Sequence, residues 1–131
     1  MFKQAIYLPG DSPGIPAYSP AVAVDLGERK IIYLTGQIPV DKDGRVVAPG
    51  DAAAQAEYAF QLAEKVLNQA GSSLKDVVKA QIFLTNVDDF AQIAPVRNKY
   101  FAENRPASTV VEINRGTTPG CLVELDFIAI C

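Results

Sequence analysis

Leu122-Val123-Glu124-Leu125-Asp126-Phe127-Ile128-Ala129-Ile130 is the segment that most restricts how this chain can fold. Successive side chains of a strand point to opposite faces. Val123, Leu125, Phe127 and Ala129 therefore form one wholly apolar face, and Leu122, Glu124, Asp126, Ile128 and Ile130 form the other. A strand this apolar calls for cover on both sides. A covered carboxylate needs hydrogen-bond partners or a shifted pKa, and either condition makes it useful for chemistry. The strand alone leaves two readings open: Glu124 and Asp126 as covered functional acids, or as marks of a solvent-facing side of an antiparallel sheet.

The 131 residues are most simply one domain, long enough to bury a substantial core. A net charge of -3 with no Lys/Arg run argues against a nucleic-acid surface, which needs a basic patch. Residues 1–8 hold one lysine and a short apolar run ending at Pro9-Gly10, too short for a secretory leader. Nothing in the sequence approaches a membrane span, so a cytoplasmic protein is expected. Cys121 and Cys131 flank one extended segment, too far apart to bridge each other, and read as inert buried thiols. The chain has no histidine. That removes Ser-His-Asp and Cys-His machinery and the usual neutral-pH base, and with two cysteines ten residues apart it argues against zinc. Any proton transfer falls to carboxylates, Tyr, Lys or bound water.

Periodicity and turn chemistry order the remainder. Short strands are expected near residues 3–8, 21–25 and 31–35, with a Pro-rich loop between the first two. Asp51 is the expected N-cap of a helix over residues 52–70, with Gly71 at its C′ position. Ala52, Ala56, Ala59, Ala63, Val66, Leu67 and Ala70 line one small-residue face of that helix, suited to packing on a sheet. A strand over 77–84 precedes a second helix over 88–103, expected to be capped by Asp88 and kinked or restarted at Pro95. Strands over 107–114 and 122–130 close the chain. The order β-β-β-α-β-α-β-β predicts an α+β domain, a mixed six-stranded sheet with two helices on one face. Two helices cover only one face, and a second copy of the chain is the expected cover for the other.

Several runs resemble the reactive intermediate deaminase (Rid, or YjgF) family in order and spacing over about residues 3–130. They include Tyr18-Ser19-Pro20, Leu34-Thr35-Gly36-Gln37-Ile38-Pro39, Asp76-Val77-Val78-Lys79, Asp88-Asp89-Phe90, Arg105-Pro106-Ala107 and Val123-Glu124-Leu125. The resemblance implies a chorismate-mutase-like fold, a homotrimer with clefts between subunits, and hydrolysis of reactive enamines and imines without a metal or organic cofactor. It implies Glu124 as the water-activating carboxylate and Tyr18, Thr35 and Gly36 as pocket residues. The partner it implies is a small-molecule substrate, with neither nucleic acid nor membrane. Asp126 is the expected interface contact.

One departure matters. The family pattern has Arg where this chain has Ser108, and often Cys where it has Val110. These two share a face by alternation, and both are expected to line the cleft. A bidentate arginine-carboxylate contact is worth on the order of a few kcal/mol, or about two decades in affinity, and a serine hydroxyl does not replace it. Small imino acids such as 2-iminobutyrate are therefore expected to be poor substrates. Arg115 is the nearest cation on that strand, but its parity sets it with Thr109, Val111 and Ile113; it is kept as a substitute substrate-binding residue. Arg105 is expected to end a helix, where its charge suits the dipole. The alternative to an enzyme is a non-catalytic small-molecule-binding or regulatory trimer of the same fold.

Overall fold

The computed structural model describes residues 2–10 and 17–131; part of the Pro-rich loop lies outside them. Six strands appear in the expected order: β1 Lys3–Ile6, β2 Ala21–Asp25, β3 Lys30–Leu34, β4 Val77–Leu84, β5 Ala107–Glu112 and β6 Val123–Ile130. Helix α1, Ala52–Gln69, follows β3, and α2, Phe90–Phe101, follows β4. The sheet order is β1-β2-β3-β6-β4-β5. Only the β4–β5 pair is parallel, and α2 makes that crossover. The mixed six-stranded α+β sheet with two helices is the fold the element order predicts.

Both helices lie on one face. Val123, Leu125, Phe127 and Ala129 of β6 are all buried there, against Ala56, Ala59, Phe60, Ala63 and Leu67 of α1. Small alanines let α1 approach the sheet closely, and Phe60 fills the remaining gap. Its ring stacks on Tyr100 at 4.8 Å and meets Phe127 at 5.5 Å. The chain caps α1 as its sequence predicts: the Asp51 carboxylate accepts from the Ala54 N–H at 3.0 Å, and Gly71 takes φ 79 after the last turn.

The second helix starts differently from expectation. Asn86, not Asp88, supplies the side-chain cap, accepting from the Asp88 N–H to form a short 3-10 turn over Val87–Asp89. Helix α2 then begins at Phe90 with Asp89 as N-cap and no side-chain cap bond, and it continues through Pro95 as one element. Arg105 lies past its end at φ 47, its N–H bonded to the Phe101 carbonyl at 3.0 Å.

Among the described residues, no helix lies over the other sheet face. Val22, Val24, Ile31, Tyr33, Ile128 and Ile130 share it by register with Phe83, Glu124, Asp126, Gln81 and Thr109. Tyr33 and Ile130 are exposed there.

Candidate active site

Glu124 sits on the uncovered face of β6, paired across the ladder with Phe83 of β4. What holds it is the backbone after β3. Between the Tyr33–Ile128 pair and the Gln37–Leu125 bridge, Leu34, Thr35 and Gly36 stand opposite only Asp126 and Phe127. The extra residue is a bulge, and it reverses the alternation. Gln37 consequently turns inward and is buried, while its backbone exchanges two hydrogen bonds with Leu125, at 2.7 and 2.9 Å. The same bulge brings the Gly36 Cα against the Glu124 side chain. A Cβ on residue 36 would lie 2.6 Å from Glu124 Oε2 and 2.8 Å from its Cδ. Gly36 is thus required by a close approach, and the approaching group is the candidate catalytic carboxylate itself.

Thr35 supports this corner from behind. Its Oγ1 donates to the Ser19 carbonyl at 2.6 Å, and its N–H donates to the Pro20 carbonyl at 2.9 Å. Gln37 Nε2 donates in turn to the Thr35 carbonyl at 2.6 Å. Tyr18 is joined to the corner through Ser19, but the residue is 61% exposed and lines no wall of the groove beside Glu124.

That groove is formed by Phe83, Ile113, Arg115, Gly116, Thr117 and Glu124, with a volume of about 410 Å³. A narrow recess shares most of these residues and adds Ile38, Thr85, Thr118 and Cys121. Among the described residues no donor reaches the Glu124 carboxylate. Burial raises its pKa, and the neighbouring Asp126 carboxylate raises it further. Burial likewise raises Asp126, and it raises the Cys121 thiol, with Glu124 adding to the effect. Cys121 is buried and Cys131 half-buried, both as free thiols.

Within one chain, the structure does not bring Ser108 and Val110 to Glu124. Ser108 pairs with Ala80, and Ala80 with Phe127; Val110 pairs with Ile82, and Ile82 with Leu125. Paired residues point the same way, so both lie on the helix-covered side. Val110 packs against the core, and Ser108 borders a separate groove with Arg97 and Arg105. Thr109, Val111 and Ile113 are the β5-side residues that share a face with Glu124. Arg115 follows that parity, which carries it toward Glu124 and not away from the site.

Sequence reasoning missed three supports. Phe83 forms a groove wall, and alternation along β4 could have shown it. Gln37 needed the bulge. Gln55, fully buried in α1, accepts from the Leu122 N–H at 2.8 Å and donates to the Gly120 carbonyl at 3.1 Å. It anchors the loop between the groove wall at Gly116–Thr117 and the start of β6; its polar type at a helical core position was the available signal.

Residues 10–131 match the family described as Endoribonuclease L-PSP. The 3-aminoacrylate deaminase RutC of Acinetobacter baylyi is 36% identical over 129 residues, covering 98% of each chain. The chain belongs to the Rid/YjgF family. Among solved structures, the Rid-family protein YyfA of Yersinia pestis superposes with a TM-score of 0.84 at 32% identity, covering 97% of this chain and 98% of that one. The YjgF gene product of E. coli gives 0.79 at 31%, with the same coverage. This Rid/YjgF chain has in common with them the mixed sheet that carries Glu124.

Proposed function

We propose that this Rid/YjgF chain hydrolyses a reactive enamine or imine to a carbonyl compound and ammonia, with Glu124 as the general base. The carrying observation is the state of Glu124. It is half-buried, lacks a donor among the described residues, has a raised pKa, and lines a groove of small-molecule size. A carboxylate with free lone pairs and a pKa moved toward neutrality is suited to taking a proton from water. The deaminase name of the A. baylyi relative supports the same chemistry.

The reaction balances on this one group. A water oxygen attacks the carbon of a protonated imine, the C=N π electrons go to nitrogen, and the Glu124 carboxylate takes the water proton. The resulting carboxyl then protonates the carbinolamine nitrogen. The C–N bond breaks as the hydroxyl oxygen forms the new C=O, releasing ammonia and one proton, together an ammonium ion. An enamine enters by protonation at carbon to give the same iminium. Gly36 keeps the carboxylate close to the backbone, and the buried Gln37 and Gln55 hold the two flanks.

The working form is a homotrimer in the cytoplasm, with each groove completed across a subunit boundary. The uncovered sheet face supports this, since Ile31, Tyr33, Ile128 and Ile130 form an apolar area that a second copy would cover. Such an interface also offers a way for Ser108 and Val110 of one subunit to approach Glu124 of another. A net charge of -3 and carboxylates on this face weigh against an RNA substrate.

The test is decay of imines generated by an oxidase, followed with wild type and Glu124→Gln. Acceleration by wild type and a loss of at least a hundredfold in the variant, with the oligomer unchanged, are expected. Equal activity in the two proteins would remove Glu124 from the mechanism.

A further inference from the structure

On the helix-bearing side of the sheet, a second groove of about 420 Å³ opens where α2 ends and β5 begins. Two arginines border it, Arg97 from the second half of α2 and Arg105 from the connection to β5. Among the described residues no carboxylate borders it, in a chain with 15 acids against 12 bases. Glu103, two residues before Arg105, is engaged with Lys75 at 3.3 Å. Neither arginine joins an ion pair with a described residue.

Arg97 is held ready for a ligand. Its guanidinium lies 5.1 Å from the centre of the Phe90 ring, and its Nε and Nη2 both donate to Asn98 Oδ1 at 3.2 Å. Arg97 Nη1 and Asn98 Nδ2 are left as donors without a described partner. Arg105 supplies a whole guanidinium fork, its side chain bonded to no described residue. Its backbone is a second observation. Arg105 takes φ 47, its N–H closing the end of α2 on the Phe101 carbonyl at 3.0 Å. That is the left-handed position past a helix end, where glycine is the ordinary residue and a Cβ is penalised. The backbone therefore does not call for arginine; a side chain that must stand at this groove does.

Every unpartnered polar group here can donate, and the Ser108 hydroxyl adds one more. Such a set calls for an anion. A carboxylate presents two oxygens, fewer than these donors can address, whereas a phosphate monoester presents three and a charge of about −1.5 to −2. Ala102 and Pro106 give the groove an apolar wall, which suits a short carbon chain beside the phosphate. A long polyanion would meet a chain of net charge -3. We propose that this groove binds the phosphate group of a small phosphorylated metabolite, held between Arg97 and Arg105. The site is independent of the hydrolase reading and lies across the sheet from Glu124, since Ser108 pairs with Ala80 and Ala80 with Phe127.

Calorimetric titration of the full chain at low salt with glycerol 3-phosphate, glycerate and inorganic phosphate tests this. Glycerol 3-phosphate should bind saturably, and about tenfold or more tightly than the other two. Arg97→Met and Arg105→Met should each weaken it about tenfold, and Arg105→Lys should weaken it less than Arg105→Met. Arg29→Met, in the turn between β2 and β3, should bind as wild type. Arg105→Gly separates the site from the fold: it removes the left-handed penalty, so binding should be lost while Tm does not fall. No saturable binding of glycerol 3-phosphate, or equal affinity for glycerate or inorganic phosphate, overturns the proposal. So does wild-type affinity in either arginine-to-methionine variant of the groove, or a loss of affinity in Arg29→Met. Loss of binding together with a fall in Tm in Arg105→Gly would mark Arg105 as a structural residue and overturn it as well.

Discussion

Gly36→Ala isolates the geometry of Glu124 from its chemistry. Gly36 is not in the left-handed region, so alanine brings no backbone strain, only a methyl group. That methyl would stand 2.6 Å from Glu124 Oε2, where ordinary contact begins at 3.4 Å, so the oxygen must retreat by about 0.8 Å. The backbone cannot yield instead. Thr35 is bonded to Pro20, Gln37 is paired twice to Leu125, and the Gln37 side chain is bonded to Thr35. The Glu124 side chain therefore rotates away. A displacement near 1 Å of a catalytic group costs about a hundredfold in rate. Stability should hardly move: about 1 kcal/mol of crowding is offset in part by the 0.4–1 kcal/mol or so that alanine gains through the less flexible unfolded chain. Steady-state hydrolysis of an oxidase-generated imine and a thermal melt should show kcat down by about a hundredfold with Tm within about 3 °C of wild type. Wild-type kcat in folded Gly36→Ala would refute the role of this contact, and with it the placement of the catalytic base.

The raised pKa of Glu124 predicts that the acid limb of the kcat/KM profile falls above 4.5, the ordinary value, because the base must be ionised; a limb at or below it would contradict burial as the force acting on this carboxylate. The sign for stability follows by linkage. A folded-state pKa above the unfolded one stabilises the protein fully below the unfolded value, and that contribution is lost as pH rises through the folded value. Denaturant unfolding should therefore find Glu124→Gln gaining on wild type as pH rises through that window. Gln55→Leu leaves the Leu122 N–H and the Gly120 carbonyl without their buried partner and should cost about 3 kcal/mol in the same assay. The Tyr100 hydroxyl donates to Glu57, and burial followed by that contact pushes its pKa up to about 12. Ultraviolet titration should show the high midpoint, and Glu57→Gln should bring it toward the ordinary value of about 10.

Much of the fold was legible because its signals are local. The Asp51 cap, the Gly71 terminator, the alanine face of α1 and the alternation of β6 each depend on residues within a few positions, and each has its expected place in the structure. Asp88 failed as a cap because Asn86, two residues earlier, captured its N–H in a competing turn. The site was less legible, since it is made by pairing. Strand alternation tells which residues of one strand share a face, but only register tells which face of β5 meets which face of β6. Taken alone, β5 grouped Ser108 with Val110; the ladder through Ala80 and Ile82 put both across the sheet from Glu124 and carried Arg115 to its side.

By itself, the sequence determined that Glu124 lies on the second face of a strand whose first face is core, and that no histidine competes with it for proton transfer. Tertiary structure alone decided what surrounds that carboxylate. A one-residue bulge at Leu34–Gly36 reversed the inside and outside of the chain after β3, burying Gln37 and setting Gly36 against Glu124. The physical reason is that a bulge is a mismatch between two strands, and neither strand's residues reveal it until they are paired.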